Sequence, residues 1–90
     1  MRRLLLLPLL TILLGAAPPP PAAPRRIVSL NLCADQYLLA LADRGQIAAL
    51  TNFARDPQMS AVAAAARSVP ITRGGAEEVL ALRPDLVIAT

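Results

Sequence analysis

Short apolar runs alternate along this chain with longer segments of helical spacing. Four apolar runs are short and contain β-branched residues, which predicts strands at 26–30, 47–51, 69–71 and 86–89. Three segments between them are longer, and the spacing of their apolar residues predicts helices at 32–43, 56–66 and 76–83. This order predicts an α/β fold, with a parallel sheet and helices flanking it.

Particular residues mark the ends of these predicted elements. Asn31 can cap the first helix, and Gly45 stands where a left-handed residue often ends one. The pair Asp56-Pro57 is typical of a helix start. Pro84 ends the third helix, because a residue before proline avoids the helical region. Residue Pro70 makes the third strand an edge strand or a mere connection.

The N-terminus carries the pattern of an export signal. Arg2 and Arg3 are followed by the apolar run Leu4–Leu14 and then by small residues. Eleven residues are too few for a spanning helix, which needs about 20. We therefore expect an exported protein in three parts: a signal peptide at 1–17, a proline-rich spacer at 18–24, and a partial domain at 25–90.

Composition excludes several kinds of site. The formal net charge is +3, and without Arg2 and Arg3 seven arginines face six acidic residues. These arginines are scattered, which argues against nucleic-acid binding. Cys33 is the single cysteine, so no disulfide can form within the chain. The sequence contains no histidine, which excludes a metal site built on imidazole from these residues.

Parallel α/β sheets bind ligands beyond the carboxyl ends of their strands. The tips expected there lie near Asn31, Phe53 and Thr90. Phe53 stands in a polar loop, where an exposed ring offers a stacking surface for a planar ligand. Arg73 and Gly74 lie in a turn before a helix, which suits an anionic ligand.

Two stretches resemble a known family. One is Arg-Ile-Val-Ser-Leu-Asn-Leu-Cys-Ala-Asp at 26–35, and the other is Gly-Ala-Glu-Glu-Val-Leu-Ala-Leu-Arg-Pro-Asp-Leu-Val-Ile at 75–88. They resemble the helical-backbone periplasmic binding proteins, which bind vitamin B12 and ferric siderophores. The resemblance covers about residues 25–90. A tryptophan that some B12 binders carry is missing from the loop around Phe53.

The resemblance implies a fold and a function. The full protein would have two α/β lobes joined by a long helix, with part of the N-terminal lobe present here. It would be a monomer, would need no cofactor and would not be an enzyme. Its role would be to capture a metal chelate, either cobalamin or a ferric siderophore, and to deliver it to the permease of an ABC importer.

The resemblance also assigns roles to individual residues. It implies ligand contacts for residues of the three loops, namely Asn31, Leu32, Phe53, Arg73 and Gly74. It implies that Glu77 docks on arginines of the permease. The residues alone leave open that Glu77 is an ordinary acidic residue at a helix start.

Two alternatives remain. Cys33 lies in the first turn of a predicted helix, so a secreted α/β enzyme could use its thiolate as a nucleophile. We expect instead a small buried cysteine, because the chain has no histidine to act as its base. Tyr37 and Leu41, on the same helix, are expected to pack in the core. The other alternative is a nonfunctional gene fragment.

Overall fold

The computed structural model describes residues 18–90. The predicted signal peptide, residues 1–17, lies outside the described residues. Residues 18–24 contain no regular secondary structure. In the described part of the chain, no helix has the length and apolar character needed to cross a bilayer.

The element order confirms the predicted α/β class. Strands and helices follow as β1 Ile27–Ser29, α1 Leu32–Leu41, β2 Ile47–Thr51, α2 Ala63–Ala66, β3 Ile71–Thr72, α3 Ala76–Ala81 and β4 Leu86–Ile88. Two 3-10 turns precede and follow β2, at Arg44–Gln46 and Asn52–Arg55.

The four strands form one sheet in the order β3-β2-β1-β4. All three pairings are parallel, as predicted. Ile27 of β1 pairs with Ile47 of β2 on one side and with Leu86 of β4 on the other. β1 and β2 are therefore the inner strands, and all four carboxyl ends point to the same edge of the sheet.

A small core lies between the sheet and the helices α1 and α2. Its buried residues are Ile27, Leu38, Ile47, Leu50, Ala54, Ala66 and Val69. Leu38, which is 8% exposed, is the one buried apolar residue of α1, and Ala66 comes from α2. The core thus holds α1 and α2 against the β1–β2 half of the sheet, while Leu86 and Val87 of β4 remain 38% and 41% exposed.

The second predicted helix is largely wrong. The prediction was 56–66, whereas the α-helix covers only Ala63–Ala66. Asp56 does open a turn, because its carboxylate accepts a hydrogen bond from the Gln58 N–H at 2.9 Å. The buried Ser60 then accepts from the Val62 N–H at 3.2 Å through its hydroxyl. Such local side-chain bonds compete with helical hydrogen bonds and break this segment into turns.

Other boundaries also differ from the prediction, by one or two residues. Helix α1 ends at Leu41, and Gly45 lies in a 3-10 turn instead of in a left-handed cap. Strand β3 begins at Ile71, after Pro70, whose carbonyl accepts from the Leu50 N–H at 2.9 Å. The third helix ends before Pro84, as expected, but two residues early, and Arg83 leaves it in a left-handed conformation with φ of 50°.

A set of polar contacts fastens the amino edge of the sheet. The Asp85 carboxylate accepts from the N–H groups of Arg25 and Arg26, both at 2.8 Å. The Arg26 guanidinium donates to the Leu82 carbonyl at the carboxyl end of α3, at 2.8 Å through Nε. These contacts, which we call the amino-edge clip, join the start of β1 to the connection between α3 and β4.

Candidate functional site

Three strands end in a buried residue with a hydroxyl group. Ser29 is the last residue of β1, Thr51 of β2 and Thr72 of β3, and all three are at most 7% exposed. Each hydroxyl is hydrogen-bonded, and its partner lies in the loop or helix that surrounds the carboxyl edge. The three hydroxyl groups therefore help to set the shape of the loops that follow the strands.

The loop after β1 is shaped by Ser29 and Asn31. The Ser29 hydroxyl donates to the Asn31 carbonyl at 2.9 Å, and the Asn31 N–H lies 3.3 Å from the same hydroxyl oxygen. The Asn31 side chain accepts from the Ala34 N–H at 3.0 Å, which confirms it as the cap of α1. Because the cap and the turn are both satisfied locally, Asn31 and Leu32 are held at the end of β1.

The end of β2 is supported by a buried carboxylate on α1. Asp35 has no exposed surface, and it accepts from both the N–H and the hydroxyl of Thr51, at 3.1 and 2.5 Å. A buried carboxylate is tolerated only when donors replace the lost water. Asp35 thereby fixes α1 relative to the point at which β2 passes into the loop that carries Phe53.

Phe53 lies in the 3-10 turn that follows β2. Its carbonyl accepts from the Asp56 N–H at 3.0 Å, while its ring remains 47% exposed. The neighbouring Ala54 is fully buried, and Arg55 donates to the Val69 carbonyl at 2.7 Å. Ala54 and Arg55 anchor the turn from below, so the Phe53 ring is held at the surface of the carboxyl edge.

The loop after β3 contains a glycine in a conformation that other residues rarely adopt. Gly74 has a φ of 85°, and its N–H donates to the Thr72 hydroxyl at 3.0 Å. A Cβ at this position would lie 3.4 Å from a methyl carbon of Leu30. Gly74 therefore allows the chain to turn sharply and lets this loop approach the loop after β1.

These three loops enclose a cleft of about 460 Å³ at the carboxyl edge of the sheet. The lining residues come from the ends of β1, β2 and β3 and are Leu30, Asn31, Leu32, Thr51, Asn52, Phe53, Thr72, Arg73 and Gly74. All five residues predicted to contact a ligand are among them. We call this the carboxyl-edge cleft. Its volume lies within the usual range of small-molecule sites, roughly 300–1,000 Å³.

The lining chemistry suits a ligand with an apolar surface and polar or anionic groups. Leu30, Leu32 and Phe53 supply apolar contacts, and the side chains of Asn31 and Asn52 supply neutral polar groups, while the Thr51 and Thr72 hydroxyls are bonded within the chain. Arg73 is the one charged side chain among these lining residues, and it is exposed. The cleft offers binding contacts and a single positive charge at its rim.

Several expectations about this region were incomplete or wrong. The third strand end that contributes to the cleft belongs to β3, whereas β4, which leads to Thr90, is not among the lining elements. Thr51, Thr72 and the supporting Asp35 were not singled out from the sequence. The two threonines could have been identified from the sequence, because each is a residue with a hydroxyl group at the end of an apolar run.

Four further residues lie outside the cleft. Glu77 lies in the first turn of α3 and is exposed. Cys33 is exposed, so the expected buried cysteine is wrong. Tyr37 and Leu41 are 69% and 82% exposed, so their predicted core packing is also wrong. The face of α1 that packs on the sheet is centred on Asp35 and Leu38, which turns Tyr37 and Leu41 away from it.

No cluster of three or more metal-ligating side chains occurs within residues 18–90.

Comparison with known proteins gave no match to a family model, to a curated protein or to a solved structure.

Proposed function

We propose that the carboxyl-edge cleft is the N-terminal half of a ligand site in a periplasmic solute-binding protein of an ABC importer. The observation that carries this proposal is the convergence of Asn31, Leu32, Phe53, Arg73 and Gly74 on one cleft. They come from three loops that are far apart in the sequence. Such convergence at the carboxyl ends of parallel strands is typical of ligand sites in α/β proteins.

The proposed ligand is a metal chelate, either cobalamin or a ferric siderophore. A large ligand of this kind presents flat or apolar surface that the exposed Phe53 ring can contact. Arg73 at the rim would pair with a carboxylate or another anionic group of the ligand. The proposed role is capture and delivery, with no chemical change to the ligand.

Glu77 is proposed to dock on the permease. It lies in the loop-to-helix region directly after the turn that carries Arg73 and Gly74, and it is exposed. An exposed carboxylate can form a bidentate pair with an arginine of a partner. The docking surface would then border the cleft, so the ligand would be bound close to the point of contact with the permease.

Calorimetric titration of the chain with cyanocobalamin, haem and a set of ferric chelates tests the proposal. We expect one of these ligands to bind weakly, because only one side of the site is present. Phe53→Ala should weaken that binding by roughly five- to tenfold through loss of an aromatic contact.

The matched control is Tyr37→Ala, which removes the other aromatic residue of the chain. Tyr37 is exposed but lies outside the cleft, so this variant should bind as the parent does. Absence of binding to every tested chelate would contradict the proposed ligand class. Equal losses in the two variants would contradict the assignment of the cleft.

A further inference from the structure

Asn52 brings an unbonded side-chain amide to the carboxyl-edge cleft. It is the first residue of the 3-10 turn that follows β2, it is exposed, and it lines the cleft. Within residues 18–90 its amide group has no hydrogen-bond partner. An asparagine amide has one oxygen that accepts and an NH₂ group that donates twice. Asn52 therefore keeps its full hydrogen-bonding capacity for a ligand.

The other neutral polar side chains of the cleft are partly or wholly used within the chain. The Asn31 side-chain oxygen accepts from a main-chain N–H of α1 at 3.0 Å, so only its NH₂ group is unbonded. The Thr51 hydroxyl donates to Asp35, and Thr51 is 7% exposed. The Thr72 hydroxyl accepts from the Gly74 N–H at 3.0 Å, and Thr72 is 2% exposed. The two asparagine amides are therefore the neutral side-chain groups that a ligand can reach.

The accessible polar side chains of the cleft donate more hydrogen bonds than they accept. Asn31 and Asn52 each offer an NH₂ group, and Arg73 offers a guanidinium, which has five donors and no acceptor. Arg73 is exposed and has no hydrogen-bond partner within residues 18–90. Of these three side chains, only Asn52 has an unbonded acceptor. A ligand group that matches this set accepts hydrogen bonds and carries negative charge.

The buried carboxylate beneath the cleft offers no acceptor to a ligand. Asp35 has no exposed surface, and it accepts from both the N–H and the hydroxyl of Thr51. Thr51 lines the cleft and Asp35 does not, so Thr51 stands between this carboxylate and a bound ligand. Arg73 remains the one charged residue in the lining, which gives the lining a net positive charge.

Asn52 and Arg73 follow neighbouring strands at the same level. β2 and β3 pair in parallel, and their last residues, Thr51 and Thr72, are register partners. Asn52 and Arg73 are the next residues of the two chain segments, and both line the cleft. Because neighbouring strands lie about 4.8 Å apart, a small anionic group can contact both side chains at once.

We propose that the cleft receives a carboxylate of its ligand between Asn52 and Arg73, and that Asn52 determines this specificity. The assignment rests on the proposed function of the cleft, and it narrows the ligand to a ferric chelate with carboxylate groups at its surface. The guanidinium supplies charge and a fork of donors, and the Asn52 NH₂ group adds a neutral donor. A corrinoid fits this set less well, because the primary amides at its rim donate as well as accept.

Titration of the chain with citrate tests the carboxylate site without a metal chelate. The side-chain NH₂ signals of asparagine and glutamine are followed in nitrogen-edited NMR spectra, and the Asn52 signal is assigned by its loss in Asn52→Asp. We expect the Asn52 signal to shift and the signal of Gln58, which is exposed outside the cleft, to stay in place. An Asn52 signal that does not move at about 10 mM citrate, where even a millimolar site is largely filled, would overturn the proposal.

Calorimetry with ferric citrate and with a ferric trihydroxamate, which has no carboxylate, tests the ligand class. Ferric citrate should bind more tightly. Asn52→Ala should weaken its binding by roughly tenfold, as expected for a lost hydrogen bond to a charged group. Asn52→Asp should weaken it further, because a second carboxylate then faces that of the ligand. Gln58→Glu is the matched control, since it makes the same change of charge outside the cleft, and it should bind as the parent does.

Circular dichroism verifies the fold of each variant, and the two titrations separate the carboxylate site from chelate capture. Tighter binding of the trihydroxamate, or equal losses in Asn52→Asp and Gln58→Glu, would overturn the role of Asn52 while chelate capture stands. A citrate shift at Asn52 without binding of any chelate would support the carboxylate site and contradict chelate capture.

Discussion

The amino ends and the carboxyl ends of the strands, which form the amino edge and the carboxyl edge of the sheet, use their polar groups in different ways. At the amino edge, Asp85, Arg26 and Gln46 are bonded to main-chain groups of residues 22 to 60 positions away. At the carboxyl edge, the buried hydroxyls and Asp35 hold the loops from below, while Arg73 and the Phe53 ring remain exposed. The polar side chains of the amino edge hold distant segments of the chain together. Those of the carboxyl edge support loops whose binding groups remain exposed.

This difference indicates where function and stability can be separated. Among residues 18–90, every fully buried side-chain polar atom has a hydrogen-bond partner. Binding groups at the carboxyl edge are therefore available because a second set of residues, beneath them, carries the structural hydrogen bonds. Variants of the supporting residues should alter stability, and variants of the exposed residues should alter binding.

The largest effect is expected from Asp35→Ala, which removes the support beneath the carboxyl edge. The N–H and the hydroxyl of Thr51 would lose their buried acceptor, and we expect a loss of about 3 kcal/mol in the free energy of unfolding. Urea unfolding followed by circular dichroism measures it. Glu78→Ala removes an exposed carboxylate and should change stability little. Similar losses of unfolding free energy in the two variants would show that the buried hydrogen bonds of Asp35 do not stabilise the carboxyl edge.

A smaller loss is expected from Gly74→Ala in the loop after β3. The φ of 85° is unfavourable for a residue with a Cβ, so we expect a loss of about 1 kcal/mol in the free energy of unfolding. Gly75→Ala is the matched control, because Gly75 has a φ of −63° and its Cβ would meet nothing within 4 Å. Thermal unfolding compares the two. A neutral Gly74→Ala would mean that the loop can turn without glycine.

The smallest effect is expected from Asp85→Asn at the amino edge, and it depends on pH. Hydrogen bonds from the Arg25 and Arg26 N–H groups hold the pKa of Asp85 below its ordinary value. A lowered pKa in the folded state means that the ionised carboxylate stabilises the fold above about pH 4 and that this contribution is lost as the pH falls further.

The unfolding midpoints of the parent chain and of Asp85→Asn should therefore differ at pH 7, and the difference should be smaller at pH 3. Because Asp85 is exposed, the difference should be small. Measurement of both chains at the two pH values is the test. A difference that stays constant between them would show that the charge of Asp85 has no part in the clip.

The sequence predicted the elements whose signals are local. Asn31 caps α1 through its own neighbour Ala34, and the run 47–51 is β2 without any shift in its bounds. The family resemblance implied ligand contacts for the five cleft residues, and each of them follows an apolar run directly or by one short turn. Parallel pairing then brings the ends of such runs together, which needs no knowledge of side-chain packing.

The sequence could not predict features that depend on distant partners. Nothing near Asp85 in the chain indicates that its carboxylate accepts hydrogen bonds from the N–H groups of Arg25 and Arg26. Likewise, nothing near Asp35 indicates that it accepts from Thr51. Helical spacing alone placed Leu41 in the core, because spacing cannot tell which side of a helix meets the sheet. The failed helix at 56–66 has a different cause, because the side-chain bonds of Asp56 and Ser60 that break it are local.

The attachment of Pro24 has a practical consequence. Its carbonyl accepts from Gln46 at 2.9 Å, and Gln46 directly precedes β2, so the proline-rich segment joins the body on the side away from the cleft. A dye, bead or sensor chip coupled ahead of Pro24 would leave ligand entry unobstructed. Coupling at Thr90, which follows the carboxyl end of β4, would place the same object on the side of the sheet to which the cleft opens.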